Sequence, residues 1–397
     1  MNILYILQQS IYGNDGKWKS SDSNINMMVG LFESLRQTSR WNDLQIDVVI
    51  GKLSDFSDIS SFDELFKDER VKFIECNFPV DAFTNRQHFD VYFWKPLIDK
   101  DCDIIISNIT EQSRNLKTLI ETSKKKTKLI TQCFWIDCPT IGEAKVPESY
   151  SYDWRQIDGY ECSDLCVFTC ESTKEAFNEN ARNKIFGCYI DNIMDKSVIW
   201  DFGFSVTEAE KYRVDKPLKD KKTILFLNRL SGINYTRHIE FIEAINKISK
   251  YRKDFEVVFT NPSGKIEDEW LKENCANVKL INSPLSRKDY WELLYTSDIS
   301  FHGYTTERMG GCANTESIYC SNIVVMPQVY EYARRGGEAY PFYIDQNINS
   351  ENIACVLNKA LNSNNYNTSN MQQRNLDSSF EGQSEAILDS LFKLVEK

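Results

Sequence analysis

Between Asp103 and Ser107 the chain runs through three consecutive isoleucines, Ile104-Ile105-Ile106, with polar residues on both sides. A strand that is apolar on both faces must be covered on both faces, which is the situation of a parallel sheet flanked by helices. Comparable short runs recur through the first half, at Asn2–Gln8, Leu44–Ile50, Val71–Asn77, Lys128–Trp135 and Leu165–Thr169. Segments of helical character lie between them. Asn26–Leu35 has Met27, Met28, Leu31, Phe32 and Leu35 at helical spacing, and Arg86–Leu97 is aromatic and helical up to Pro96. Glu111–Lys125, Trp154–Cys162 and Thr173–Ala181 complete the series. Strand and helix in alternation predict βαβ units and a parallel sheet.

The pattern then breaks and restarts. Ser205–Lys222 is charged and poor in apolar residues, with Lys211, Arg213, Lys216, Lys219, Asp220, Lys221 and Lys222. After it come strands at Thr223–Leu227, Phe255–Phe259, Val278–Ile281, Ile299–His302, Ile323–Met326 and Phe342–Asp345. Helical segments lie at Thr236–Lys250, Glu267–Asn274, Ser286–Thr296, Ser350–Leu361 and Glu381–Val395. At 397 residues the chain is long for one core. The division expected is a first Rossmann-like domain over 1–205 and a linker over 206–222. A second Rossmann-like domain follows over 223–378, and then a C-terminal helix over 379–397 that packs back on the first domain. The fold class is α/β, with two doubly wound domains facing a central cleft.

Composition narrows the function. Hydrophobic residues make up 42% and charged residues 26%, as in ordinary globular proteins. The formal net charge of −11 argues against a protein-wide basic surface for nucleic acid. No apolar run approaches the length of a membrane span, and the N-terminus, Met1-Asn2-Ile3-Leu4-Tyr5-Ile6-Leu7, has the character of a strand rather than a leader. Twelve cysteines without C-x-x-C spacing predict free thiols in a reducing cytoplasm. With His88, His238 and His302 as the only histidines, a His-rich metal centre is not expected.

In doubly wound sheets ligands bind beyond the carboxyl ends of the strands, and three loops of the second half sit there. Asn228-Arg229-Leu230-Ser231-Gly232-Ile233-Asn234-Tyr235-Thr236-Arg237 follows the first strand, and its arginines Arg229 and Arg237 suit a diphosphate. Asn282-Ser283-Pro284-Leu285 precedes the helix near Ser286. The third loop, Gly310 to Glu316, starts with the pair Gly310-Gly311 and opens a short helix, with Asn314 or Thr315 expected as its N-cap and Glu316 in its first turn. Unpaired N–H groups at a helix start attract phosphate, glycine lets the backbone approach it closely, and a carboxylate such as Glu316 accepts from a ribose diol. Neither first strand is followed by Gly-x-Gly-x-x-Gly, which disfavours a dinucleotide enzyme.

These loops resemble the nucleotide-sugar domain of GT-B glycosyltransferases, closest in pattern to glycosyltransferase family 4. The family's strand–Gly-Arg-Leu–x3–Lys-Gly–helix is matched by Asn228-Arg229-Leu230, with Arg237 two residues later than the family's lysine. Its Ser/Tyr-Glu-Gly…Glu-Ala…Gly…Pro-Val-Val element resembles Tyr304…Glu307…Gly310-Gly311…Glu316-Ser317…Ser321-Asn322-Ile323-Val324-Val325. The match covers about Thr223–Pro327, and the rest of the chain resembles the family only in architecture. The family spaces its two glutamates eight positions apart. Here Glu307 and Glu316 are nine apart, with Arg308 at the family offset.

The resemblance implies transfer of a sugar from a nucleoside diphosphate, UDP most of all, to a hydroxyl, without a metal or further cofactor. Arg229 and Arg237 would clamp the diphosphate, Gly310, Gly311, Asn314 and Thr315 would receive it, and Glu316 would bind the ribose. Ser283 and Leu285 would lie near the base, and Glu307 on the sugar side. Retention of stereochemistry is the family's outcome, with the donor phosphate taking the proton. Inversion would need a first-domain base, for which Asp15 and Asp137 are the candidates; Gly13 lies in the same loop as Asp15 and would touch sugar or acceptor. The chain is also similar in style to phage-encoded GT-B enzymes that glycosylate hydroxymethylated bases in DNA. The acceptor expected is therefore a saccharide or cell-envelope group, or such a base, in the cytoplasm of the cell or of a phage host. A nucleotide-sugar epimerase and a non-catalytic nucleotide-binding scaffold are the alternatives.

Overall fold

The computed structural model describes residues 1–7, 23–56, 59, 62–76, 89–133, 153–182, 186–201, 203–228, 230, 236–260, 268–281, 285–304, 311–345, 347–363 and 366–396. They form two compact units. One holds the residues up to Ser205 together with the segment from Phe380 onward, and the other runs from Val206 to Ser379.

The first unit contains strands β1 (Asn2–Ile6), β2 (Gln45–Gly51), β3 (Val71–Cys76), β4 (Ile104–Ser107), β5 (Lys128–Cys133), β6 (Leu165–Phe168) and β7 (Ser197–Ile199). They form one sheet in the order β3-β2-β1-β4-β5-β6-β7, and each adjacent pair is parallel. Its helices are α1 (Ser23–Leu35), α2 (Asp63–Phe66), α3 (Val91–Ile98), α4 (Ser113–Thr122), α5 (Asp153–Cys162), α6 (Glu171–Arg182), α7 (Gly187–Asp195) and, further down the chain, the helix Phe380–Glu396. Leu4, Ile6, Ile105 and Leu129 share a buried cluster with Leu97, Ile98, Leu116 and Ile120 of α3 and α4. The isoleucine run is thus buried throughout, as its composition requires. Helix α3 starts where Asp90 accepts hydrogen bonds from the N–H groups of Tyr92 and Phe93, at 2.9 and 3.3 Å, and continues past Pro96 to Ile98.

The second unit holds β8 (Lys222–Phe226), β9 (Phe255–Thr260), β10 (Val278–Ile281), β11 (Ile299–Phe301), β12 (Ile323–Pro327) and β13 (Tyr343–Ile344). They run in the order β10-β9-β8-β11-β12-β13, again parallel. Its helices are α8 (Val206–Lys211), α9 (His238–Ile248), α10 (Asp268–Asn274), α11 (Arg287–Thr296), α12 (Cys312–Tyr319), α13 (Tyr330–Gly336), α14 (Ser350–Leu361) and α15 (Ser369–Asp377), which leaves Phe380–Glu396 as α16. Helix α8 occupies the start of the stretch expected as a linker. Phe241 of α9 is fully buried against Phe226, Phe259 and Phe301 of the sheet, with ring centroids 4.5–5.8 Å apart, and such rings supply much of a core's apolar burial.

Helix α16 packs on α1 inside the first unit. The ring of Phe380 lies so close to Gly30 that a Cβ there would meet it at 2.4 Å. Arg40 pairs with Asp389 at 2.7 Å and lies 3.7 Å over the ring of Phe392.

The α/β class with two parallel sheets follows the sequence expectation. Strand β7 and helices α2, α7, α8, α13 and α15 add to the elements anticipated. Among the described residues no helix is long and apolar enough to cross a membrane.

Candidate nucleotide-sugar site

In the second sheet the strand order reverses between β8 and β11, and ligands of doubly wound sheets lie at this switch, outside the carboxyl ends. Backbone register sets Phe226 opposite Phe301, so the chain leaves both strands side by side. The side-chain amide of Asn228, buried after β8, donates to the carbonyl of Phe301 at 3.1 Å and ties the two exits together. The loops meet again further out. A Cβ on Gly303 would come within 2.4 Å of the carbonyl oxygen of Thr236 and 3.0 Å of the Cβ of Arg237. Only glycine fits there, because backbone rather than a flexible side chain is in the way.

Arg237 is the N-cap of α9 and adopts φ 56°, ψ 33°. Its Nη1 lies 3.3 Å from Glu240 Oε1, while its Nε is buried without a hydrogen-bond partner. A guanidinium held from one side with a donor to spare suits an anion.

Helix α12 begins at Gly311, at φ 66° and ψ 145°, a conformation that favours glycine. A Cβ added to Gly311 would meet nothing within 4 Å. This corrects the expected cap. Asn314 and Thr315 are fully buried inside the helix, and Glu316 lies beyond its first turn. Asn314 Nδ2 donates to the sulfur of Met326 at 3.3 Å, and its Oδ1 has no partner. The hydroxyl of Thr315 accepts from Arg335 of α13, which is itself buried and lies 3.6 Å from Glu331. These two side chains therefore anchor the helix from below, leaving Gly311 at its mouth.

Glu316 is 5% exposed. Tyr290 of α11 donates its hydroxyl to Oε2 at 2.5 Å, and Arg287 of the same helix approaches Oε1 at 3.4 Å. Arg287 is shared: it also grips Glu208 of α8 through two parallel bonds of 2.8 and 2.5 Å. Burial pushes the Glu316 carboxyl above the ordinary glutamate range, against the pull of Arg287 and Tyr290. Burial also raises Glu208, but there Arg287 outweighs it and the carboxyl is held low. Ser286 caps α11 by accepting from the N–H of Asp289 at 3.1 Å. Leu285, half-buried, immediately precedes it.

Arg237, Gly311, Asn314, Thr315, Glu316 and Leu285 are all in the second unit. The expected Arg229, Ser283, Glu307 and Gly310 lie outside the described residues. So do Gly13, Asp15 and Asp137 of the first unit. Sequence reasoning missed Arg287, Tyr290, Glu208 and Arg335. Arg287 and Tyr290 are one helical turn apart on α11 and so share a face, which was the available signal. Ser321 stands where the resembled motif has glycine, and it adopts φ 64°. Among the described residues no group of His, Cys, Asp and Glu is arranged to hold a metal.

No family model matches the chain, and no curated protein matches it. Solved structures do match, nearly end to end. A glycosyltransferase from Rickettsia africae ESF-5 superposes with a TM-score of 0.64 at 14% identity, over 100% of this chain and 99% of that one. The trehalose-6-phosphate enzyme from E. coli bound with UDP-2-fluoro glucose gives 0.63 at 12%, over 98% and 99%. Anabaena HepE in complex with UDP-glucose gives 0.58 at 12%, over 100% and 98%. Two parallel sheets with reversed strand order, matched along their whole length by these proteins, give the chain the GT-B glycosyltransferase fold.

Proposed function

We propose that the protein transfers a glycosyl group from a nucleoside-diphosphate sugar, with UDP as the favoured carrier, to an acceptor hydroxyl. The observation that carries this reading is the meeting of two loops at the β8–β11 switch. Arg237, with an unpartnered buried nitrogen, stands beside Gly303, and the loop that starts there leads to the glycine-headed helix carrying Glu316. The positive φ of Ser321 at the glycine position supports the motif alignment that assigns these roles.

In this reading Arg237, with Arg229, binds the diphosphate, and charge grows on that group as the sugar departs. Fixed donors aimed at developing charge stabilise the transition state. The N–H groups at the start of α12 act in the same sense. Glu316 receives the ribose hydroxyls, the backbone near Leu285 faces the base, and Glu307 serves the sugar side. Among the matched structures, HepE was solved with UDP-glucose and with UDP and glucose, which supports a UDP-sugar donor. Trehalose-6-phosphate synthase is described as transferring with retention, which supports a retaining outcome here. A saccharide or envelope hydroxyl is the acceptor favoured by the net charge of −11, since DNA would require a basic path.

The test offers UDP-, GDP- and ADP-sugars to the protein with sugars, sugar phosphates, oligosaccharides and hydroxymethylated DNA. Acceptor-dependent release of the nucleoside diphosphate is expected, lowered about 100-fold in Arg237→Ala. Sugar interconversion without an acceptor would instead assign an epimerase, and nucleotide binding without any turnover across the panel would assign a scaffold.

A further inference from the structure

The carboxylate of Glu316 lies between α11 and α12 with its two oxygens held by different donors, Oε2 by the Tyr290 hydroxyl at 2.5 Å and Oε1 by Arg287 at 3.4 Å. An ionised carboxylate offers about four acceptor positions, so roughly two remain. The surroundings give the side chain little freedom. It is buried, and Arg287 is itself fixed by the two-pronged pair with Glu208. Arg287 is further packed 5.3 Å from the ring of Tyr290 and 5.5 Å from that of Trp291. Donors from α11 thus fix the rotation of a carboxylate that belongs to α12.

We propose that Tyr290 and Arg287 are positioning residues that aim Glu316 at the 2′- and 3′-hydroxyls of the donor ribose, and so make the site reject 2′-deoxynucleotides. This rests on reading the second unit as a nucleotide-sugar site. The physical reason is an asymmetry in hydrogen bonding. A buried acceptor whose partner is missing carries its full desolvation cost, whereas an acceptor free to turn to another partner does not. With Glu316 pinned, a deoxyribose leaves one acceptor position empty, and affinity drops by about tenfold or more. Once the pins are loosened, the carboxylate can turn and the two sugars become nearly equivalent. Glu208 enters the same chain of contacts by holding Arg287.

Binding of UDP, 2′-deoxy-UDP, GDP and 2′-deoxy-GDP to the full chain, measured by calorimetry, tests the idea in the wild type and in Tyr290→Phe, Arg287→Lys and Glu316→Gln. The unfolding temperature of each variant shows whether it is folded. In the wild type the ribonucleotide is expected to bind about tenfold or more tightly than its deoxy counterpart. In folded Tyr290→Phe the ratio falls toward one, chiefly because ribonucleotide binding weakens. Arg287→Lys keeps the charge and loses the fork to Glu208, so its ratio falls between the two and provides the readout should Tyr290→Phe not fold. A ratio unchanged in both variants but lost in Glu316→Gln would overturn the positioning role while leaving the nucleotide site intact. Equal binding of both sugars by the wild type would overturn it as well. Failure of every nucleotide to bind would overturn the site reading on which the inference depends.

Discussion

His302 closes β11 with its backbone N–H on the carbonyl of Val325 at 2.9 Å, and its ring is buried with Nε2 lacking a partner. Burial lowers its pKa from 6.5 to about 3. The native state therefore refuses a proton that the unfolded chain accepts. As pH falls through the window from about 6.5 to about 3 the unfolded chain binds more protons, so stability is lost on acidification and is fully present above it. His302→Gln should remove this part of the acid sensitivity. Urea unfolding at pH 7 and pH 4 checks it as a difference, so that any fixed cost of the substitution cancels, and equal losses in both proteins would contradict it. The residue scale is also where the sequence was least legible. Glu316 stood out by its place beside a glycine pair, but its partners Tyr290 and Arg287 are 26 and 29 positions away, and Glu208 lies a further 79 positions from Arg287. No local pattern announces a contact made only when two helices pack.

At the scale of elements, the strands were the clearest part of the sequence, because parallel strands covered on both faces leave uninterrupted apolar runs such as Ile104-Ile105-Ile106. The helices missed are short or polar. Ser369–Asp377 buries Met371 and Asn375 and so shows no apolar stripe. The start of α12 was misplaced for a definite reason. Asn and Thr cap helices through their side chains, and the sequence offers both, but a glycine at positive φ begins the helix three residues earlier and turns Asn314 and Thr315 inward. The glycines of the two loops differ in kind. Gly303→Ala drives a methyl into the carbonyl of Thr236 and against Phe301 and Arg237, which costs about 1–3 kcal/mol of overpacking and displaces Arg237. Gly311→Ala meets open space and is penalised through φ alone, by about 1–3 kcal/mol. Denaturation midpoints will show both losses. Nucleotide affinity is expected to fall in Gly303→Ala because the arginine is shifted, and an unaltered affinity there would remove Arg237 from the site.

On the scale of the whole molecule, two runs of the strand–helix pattern were enough to specify two parallel sheets, since the rules for crossover connections leave few ways to arrange them. Both sheets obey the same order, in which the first strand of each lies beside the fourth. What an α/β scaffold does is decided by the groups at its switch point rather than by the scaffold. The matched structures, at 11–14% identity, carry the fold, while the proposed donor site is argued from the residues around β8 and β11. The most direct measurement of the central claim is calorimetric titration of the full chain with UDP, GDP, ADP and CDP, run beside Arg237→Ala. The account predicts that one nucleoside diphosphate binds at a single site and that the variant weakens it about tenfold or more, the loss of a charge-assisted contact. Absence of binding by all four, or binding that Arg237→Ala leaves untouched, would contradict it.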